Sequence, residues 1–87
     1  EEAMEQTKRG KVVVTGSFIT DIAVRTPRFP ADGETVAGAS LQFGPGGKGS
    51  NQATAARRAG AEVIMITKIG TDFMSEIART HYKNENI

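Results

Sequence analysis

Two apolar runs rich in β-branched residues do most to limit what this chain can fold into. The first, KVVVT, covers residues 11–15 and ends at a glycine, and the second, EVIMITKI, covers residues 62–69. Such continuous runs are typical of strands in a parallel sheet that is covered on both faces. Between them, residues 50–59 are rich in alanine and precede Gly60, which favours a helix that ends at a glycine. The order strand, helix, strand predicts a βαβ unit and therefore an α/β fold.

The segment between the first strand and the helix predicts a small two-stranded element that lies off the main sheet. Short extended pieces are expected at residues 22–25 and 35–43, the latter as two strands interrupted by Gly38. Asp32-Gly33 is a tight-turn signal between them. An isolated two-stranded element is marginally stable, so this one needs a partner surface.

After the second run, Thr71 or Asp72 can cap a last helix, with Phe73, Ile77 and Ala78 on one face. Two strands and two helices cannot cover both faces of a parallel sheet. We therefore expect residues 11–87 to be the N-terminal part of a larger, truncated domain.

Composition excludes several classes of function. The 87 residues suit one small domain, and 11 Lys and Arg against 10 Asp and Glu give a net charge of +1. This balance argues against nucleic-acid or anionic-membrane partners held by bulk charge. With no cysteine and one histidine, neither a disulfide framework, a zinc site nor a Ser-His triad is expected. No apolar run approaches the roughly 20 residues of a membrane span, and residues 1–10 are predicted to be a disordered leader without a secretory signal. A cytoplasmic protein is the default expectation.

The stretch GPGGKGSNQAT, residues 44–54, contains a G-x-G-x-x-G pattern and a lysine. It does not fit a phosphate-binding loop of the G-x-x-x-x-G-K-[ST] type, because Gln42 and Gly49 stand where that pattern needs a glycine and a hydroxyl. It does not fit a dinucleotide site either. There the glycines follow the first strand directly and an acidic residue ends the second, whereas Glu62 begins the second strand here.

The same stretch does fit a site for a polyhydroxylated ligand. Gly46, Gly47 and Gly49 expose backbone N–H groups at a helix N-terminus, where a ligand can approach closely. Asn51 adds an amide that can donate and accept, and Asp21 follows the first strand at the carboxyl edge of the sheet. Simpler roles stay open: a flexible hairpin end for the glycines, a helix cap for Asn51, and a turn former for Asp21.

The longer stretch GGKGSNQATAARRAGAEVIMITKIG resembles the N-terminal signature of the PfkB, or ribokinase, family of carbohydrate kinases. The resemblance covers residues 11–87 and implies the start of a ribokinase-like α/β/α sandwich with a small β-strand lid, formed by residues 22–25 and 35–43. The positions that match the signature are Gly46, Gly47, Asn51, Ala53, Gly60 and Gly70.

The resemblance implies ATP-dependent phosphorylation of a sugar hydroxyl, with D-ribose converted to ribose 5-phosphate as the first candidate reaction. ATP and Mg²⁺, with a monovalent cation as a further candidate, would bind outside this segment, and a homodimer would form through the lid. No catalytic residue is assigned here, because the family's catalytic aspartate belongs to a later signature; the 87 residues alone are expected to be inactive. Fructose or a nucleoside remains an alternative substrate. A non-catalytic polyol-binding or lid-dimerisation module remains the alternative of a different class.

By resemblance, the sugar contacts come from two segments. Ile19 stands where many bacterial relatives have asparagine, so one polar contact of the family is missing there. Phe73 is likewise displaced from its place in the pattern that follows the second strand. The residues assigned to sugar binding are Ile19, Thr20, Asp21, Gly47, Lys48, Gly49, Ser50 and Asn51.

Overall fold

The computed structural model describes residues 10–87, and nearly all of the predicted leader therefore lies outside the described residues. Within that range, no helix is long and apolar enough to cross a membrane. The elements in chain order are β1 (Lys11–Thr15), β2 (Ile19–Arg25), β3 (Ser40–Gly46), α1 (Lys48–Arg58), β4 (Glu62–Ile66) and α2 (Phe73–Glu85).

The main sheet is a parallel pair formed by β1 and β4, with α1 as the crossover between them. The predicted α/β fold is thus confirmed. Val14 and Val63 are buried under α1 and pack with Ala53 of that helix. The second strand ends at Ile66 rather than at residue 69, because Ile66 is the partner of Thr15, the last residue of β1. Beyond that pair the ladder has no further partner strand among the described residues.

The other face of this parallel pair carries exposed apolar side chains. Val13, Ile64 and Ile66 are 55%, 43% and 52% exposed. Side chains alternate across a strand, so these three lie opposite the buried Val14 and Val63. The two apolar runs predicted a sheet covered on both faces. Among residues 10–87, only one face of this sheet is covered.

The lid is a second, antiparallel sheet in which all seven residues of β2 pair with all seven of β3, from Ile19 with Gly46 to Arg25 with Ser40. The predicted bounds of the lid strands are therefore wrong in three respects. The first strand begins at Ile19 instead of residue 22, residues 35–37 are not a strand, and the last strand continues to Gly46 instead of ending at residue 43. Residues 35–37 have no ladder to join, because every residue of β2 pairs with a residue of β3, which begins only at Ser40.

An ion pair organises the loop that connects the two lid strands. The Arg28 guanidinium binds both carboxylate oxygens of Glu34, with 2.8 Å from Nη1 to Oε1. The backbone N–H of Ala31 donates to the same Oε1 at 2.9 Å. Arg28 first, and then the Ala31 N–H, lower the pKa of Glu34 to about 2. The loop is thus held by side-chain contacts instead of by a strand.

Helix α2 begins at the predicted cap. The Asp72 carboxylate accepts a hydrogen bond from the Ser75 N–H at 3.1 Å, which satisfies a first-turn donor. Ala78 is fully buried. Phe73 meets Phe43 of the lid edge-to-face, with ring centroids 5.7 Å apart, so the aromatic displaced from the family pattern contacts the middle of the lid ladder. The C-terminal ends of the two helices are joined by the ion pair of Arg58 with Glu85, which lowers the pKa of Glu85.

Candidate functional site

The turn that follows β1 packs directly against the first turn of α1. Gly16 and Gly49 meet backbone to backbone: a Cβ on Gly49 would lie 2.8 Å from the Cα of Gly16 and 2.8 Å from the Ser17 nitrogen. The Ser50 N–H donates to the Ser17 carbonyl at 3.1 Å. This contact brings the carboxyl end of β1 and the helix N-terminus together, as the sequence predicts for a site at that edge of the sheet.

Gly47 is the N-cap of α1 and has a φ of 99°, a conformation that favours glycine. A Cβ there would also lie 2.6 Å from the Ser17 carbonyl oxygen. The first intrahelical hydrogen bond runs from the Asn51 N–H to the Gly47 carbonyl at 2.8 Å. The N–H groups of Lys48 and Gly49 precede that bond, and such first-turn groups can donate to a ligand.

Asp21 lies across the lid ladder from this helix terminus. Its carboxylate covers Gly46, where an added Cβ would stand 2.5 Å from Oδ1 and 2.7 Å from Oδ2. The two residues are diagonal neighbours, because Asp21 pairs with Gly44 and Ile19 pairs with Gly46. Since Asp21 is exposed, its oxygens are open to a ligand on the polar face of the lid.

Thr20 and Asp21 lie on opposite faces of β2, because successive side chains of a strand alternate. Thr20 is half-buried and borders a separate open pocket of about 340 Å³. That pocket is lined by Phe18, Thr20, Lys68, Ile69, Gly70, Asp72, Met74 and Ser75. The side chains of Thr20 and Asp21 therefore do not face one ligand together in this arrangement. Ile19, 55% exposed, shares the polar face with Asp21 and lies beside the loop at Gly46.

Asn51 and Lys48 are exposed in the first turns of α1. The alternative that Asn51 serves as the helix cap is wrong, because Gly47, four residues earlier, occupies the N-cap position. The predicted start of the helix at residue 50 moves to Lys48 for the same reason. The Asn51 amide is thus free of a capping role, which is consistent with contact to a ligand.

Ser50 faces the protein interior. It is 1% exposed, and its hydroxyl accepts a hydrogen bond from the Tyr82 hydroxyl of α2 at 3.0 Å. Sequence reasoning assigned Ser50 to the ligand and assigned nothing to Tyr82. No local pattern could reveal this contact, because the two residues are 32 positions apart.

The arrangement offers a carboxylate, a side-chain amide and first-turn N–H groups around a surface without Cβ atoms. A carboxylate accepts hydrogen bonds from adjacent hydroxyls, and the helix N–H groups donate to their oxygens. These are the groups needed to bind a polyol. Residues 10–87 contain no group of three or more His, Cys, Asp or Glu side chains that could hold a metal ion.

Comparison with known proteins identifies the family of the chain. The model of the family described as "pfkB family carbohydrate kinase" matches residues 9–87. A ribokinase of Bacillus subtilis (strain 168) is 51% identical over 61 residues, which cover 70% of this chain and 21% of the relative. A ribokinase of Haemophilus influenzae is 39% identical over 79 residues, or 91% of this chain and 26% of the relative. A deoxyribokinase of Salmonella typhi is 38% identical over 65 residues, or 75% of this chain and 21% of the relative. The chain thus spans about a fifth to a quarter of the length of these relatives.

Proposed function

Because this chain belongs to the pfkB family of carbohydrate kinases, we propose that it supplies the sugar-binding part and the lid of an ATP-dependent kinase. The substrate we propose is D-ribose, phosphorylated to ribose 5-phosphate. The observation that carries the proposal is the Asp21 carboxylate, which lies against Gly46 beside the N-terminus of α1. Similarity to ribokinases at 51% and 39% identity supports ribose as the first candidate.

In this proposal Asp21 accepts hydrogen bonds from two sugar hydroxyls, and the N–H groups of Lys48 and Gly49 donate to sugar oxygens. Asn51 contributes its amide from the second turn of the helix. These contacts fix the position of the sugar, and phosphoryl transfer depends heavily on such positioning. None of these residues is proposed to be the general base.

ATP and Mg²⁺ are implied by the family and are not assigned to residues 10–87. The glycine loop lacks the pattern of a phosphate-binding loop, and the described residues offer no cluster of metal-ligating side chains. We propose that ATP, Mg²⁺ and the catalytic base belong to other parts of the complete encoded protein.

The lid also supports a proposal about assembly. Ile22, Val24 and Leu41 form its apolar face and are 53%, 55% and 59% exposed. Asp21 lies on the opposite, polar face. We propose that the polar face covers the sugar while the apolar face pairs with the lid of a second subunit, as the family resemblance implies.

Deoxyribose is a second candidate substrate, because a deoxyribokinase is 38% identical over 75% of this chain.

The test is a coupled ADP-release assay of the complete encoded protein with ATP and Mg²⁺. The sugars compared are ribose, 2-deoxyribose and fructose, with adenosine as a nucleoside. We expect turnover to be fastest with ribose. Binding of sugar without ADP release would instead favour a non-catalytic polyol-binding module, and the 87-residue polypeptide assayed alone should give no turnover above background.

A further inference from the structure

One aromatic side chain of α2 contacts both segments that frame the sugar site. The Tyr82 hydroxyl donates to Oγ of Ser50, which is 1% exposed and lies in the first turn of α1. The Tyr82 ring also meets the Phe18 ring edge-to-face, with centroids 6.0 Å apart. Tyr82 is itself half-buried. Its ring contacts Phe18 and its hydroxyl contacts Ser50.

These two contacts lie next to the ligand-facing groups on each side. Phe18 immediately precedes β2, which carries Asp21, and Ser50 lies between Gly49 and Asn51. The Ser50 N–H in turn donates to the carbonyl of Ser17, so the two segments are also joined directly. A shift of the Tyr82 side chain would therefore change the spacing between Asp21 and the first-turn N–H groups.

We propose that Tyr82 is a positioning residue, which holds the β1–β2 turn and the N-terminus of α1 at the separation that sugar binding requires. The proposal rests on the proposed function of this site as a sugar site. It reassigns Ser50 from direct contact with the sugar to the anchoring of the helix terminus. Tyr82 itself does not touch the ligand.

The two helices share a second contact that provides a matched control. Thr54 Oγ1 lies 2.9 Å from Nε2 of His81, one turn further along α1 and away from the glycine loop. Thr54→Val removes this hydrogen bond, and with it the 2.9 Å bond from the Thr54 hydroxyl to the Ser50 carbonyl within α1, while it keeps the shape of the side chain. Tyr82→Phe removes the bond to Ser50 and keeps the ring that contacts Phe18. Both variants lose one hydrogen bond between α1 and α2, and only one of these bonds lies at the site.

The experiment uses the complete encoded protein and measures ribose affinity by calorimetry, KM for ribose and for ATP, and urea unfolding. We expect Tyr82→Phe and Ser50→Ala each to raise the Kd and KM for ribose by about 3- to 10-fold, the effect of losing one neutral hydrogen bond. The double variant should be no worse than either single variant, because both remove the same bond. The KM for ATP should not change. Thr54→Val should lower stability to a similar extent and leave the ribose Kd within about twofold, the scatter of independent sites.

The proposal is overturned if Tyr82→Phe changes ribose affinity no more than Thr54→Val does. It is also overturned if Tyr82→Phe lowers the stability of the protein and leaves ribose affinity unchanged. If Tyr82→Phe does not fold, Ser50→Ala gives the same test without a change to the aromatic packing. A wild-type protein that binds no sugar would overturn the proposed function itself. In that case, amide hydrogen exchange at Ser50 would test whether Tyr82 holds the N-terminus of α1 in place. Faster exchange in Tyr82→Phe than in Thr54→Val supports this role of Tyr82, and equal exchange overturns it.

Discussion

The carboxylate of Asp21 lies against the α-carbon of Gly46, so that a single methyl group at position 46 would occupy space within 2.5 Å of Oδ1. The contact joins the strand that carries the acidic group to the strand that leads into the helix N-terminus. Gly46 does not have a positive φ, and the three heavy atoms nearest to an added Cβ all belong to the Asp21 carboxylate. The position of the Asp21 carboxylate therefore depends on the absence of a side chain at Gly46.

This relationship predicts the effect of Gly46→Ala. The new methyl group should displace the Asp21 carboxylate and raise the Kd for ribose about 10-fold or more, as expected when a charge-assisted hydrogen bond is lost. Gly44→Ala is the matched control, because an added Cβ at Gly44 meets no atom within 4 Å. Calorimetric titration of both variants decides the matter. Equal effects from the two substitutions would show that the contact at Gly46 is incidental.

Asn51 provides a prediction that separates ligand binding from helix capping. Since Gly47 is the N-cap, Asn51→Ala should not incur the roughly 1 kcal/mol that loss of a cap typically costs. It should instead weaken ribose binding, and Asn51→Asp should do the same because it removes the amide donor. Gln52→Ala, at the next exposed position of α1, is the control for both. Normal ribose affinity in Asn51→Asp, measured by calorimetry, would argue that the amide makes no contact.

The lid loop should respond to acid through Glu34. Its pKa of about 2 lies below the ordinary value of 4.5, chiefly because of the Arg28 guanidinium. The contribution of Glu34 to loop stability is therefore present above pH 4.5 and is lost as the pH falls through about 2. NMR titration of the Glu34 carboxyl should give a midpoint near 2, and Arg28→Gln should return it towards 4.5. A wild-type midpoint near 4.5 would mean that the ion pair does not form in solution.

The exposed apolar faces predict that the 87-residue polypeptide associates in solution. One face is formed by Val13, Ile64 and Ile66 of the parallel pair, and the other by Ile22, Val24 and Leu41 of the lid. Exposed contiguous apolar surface favours association. Sedimentation velocity should show species larger than a monomer, and Ile64→Ser and Leu41→Ser should separate the contributions of the two faces. A clean monomer with a cooperative urea transition would contradict this expectation.

Local sequence patterns predicted the elements that local physics controls. The β-branched run of β1 has the predicted bounds, and Asp72 caps α2 as expected, because both depend on neighbouring residues. The predicted strand at residues 35–37 is wrong. The composition of these residues suits a strand, but β3 pairs with all of β2 and leaves them no partner. A signal for the longer first lid strand was present: Ile19, Thr20, Ile22 and Val24 are β-branched, and such residues favour strands.

The candidate site also has residues that the sequence suggests and contacts that it does not suggest. Asp21, the glycines and Asn51 could be named from the sequence, because each residue type suits polyol binding and the spacing places them at one edge of the sheet. The contact of Tyr82 with Ser50 and the ion pair of Arg58 with Glu85 could not, since they join positions 32 and 27 residues apart. Such contacts depend on how the two helices pack, and no periodicity within either helix encodes them.

The central claim is that Asp21 binds sugar hydroxyls, and calorimetric titration of ribose into the complete encoded protein tests it most directly. Asp21→Ala should cost about 1.5–3 kcal/mol of binding free energy, the range for hydrogen bonds to a charged group, which is roughly a 10- to 150-fold rise in Kd. ATP affinity should change little. Asp32→Ala, at an exposed acid in the lid loop, is the control and should bind ribose normally. Unchanged ribose affinity in Asp21→Ala would contradict the account and would leave the glycine loop as scaffolding alone.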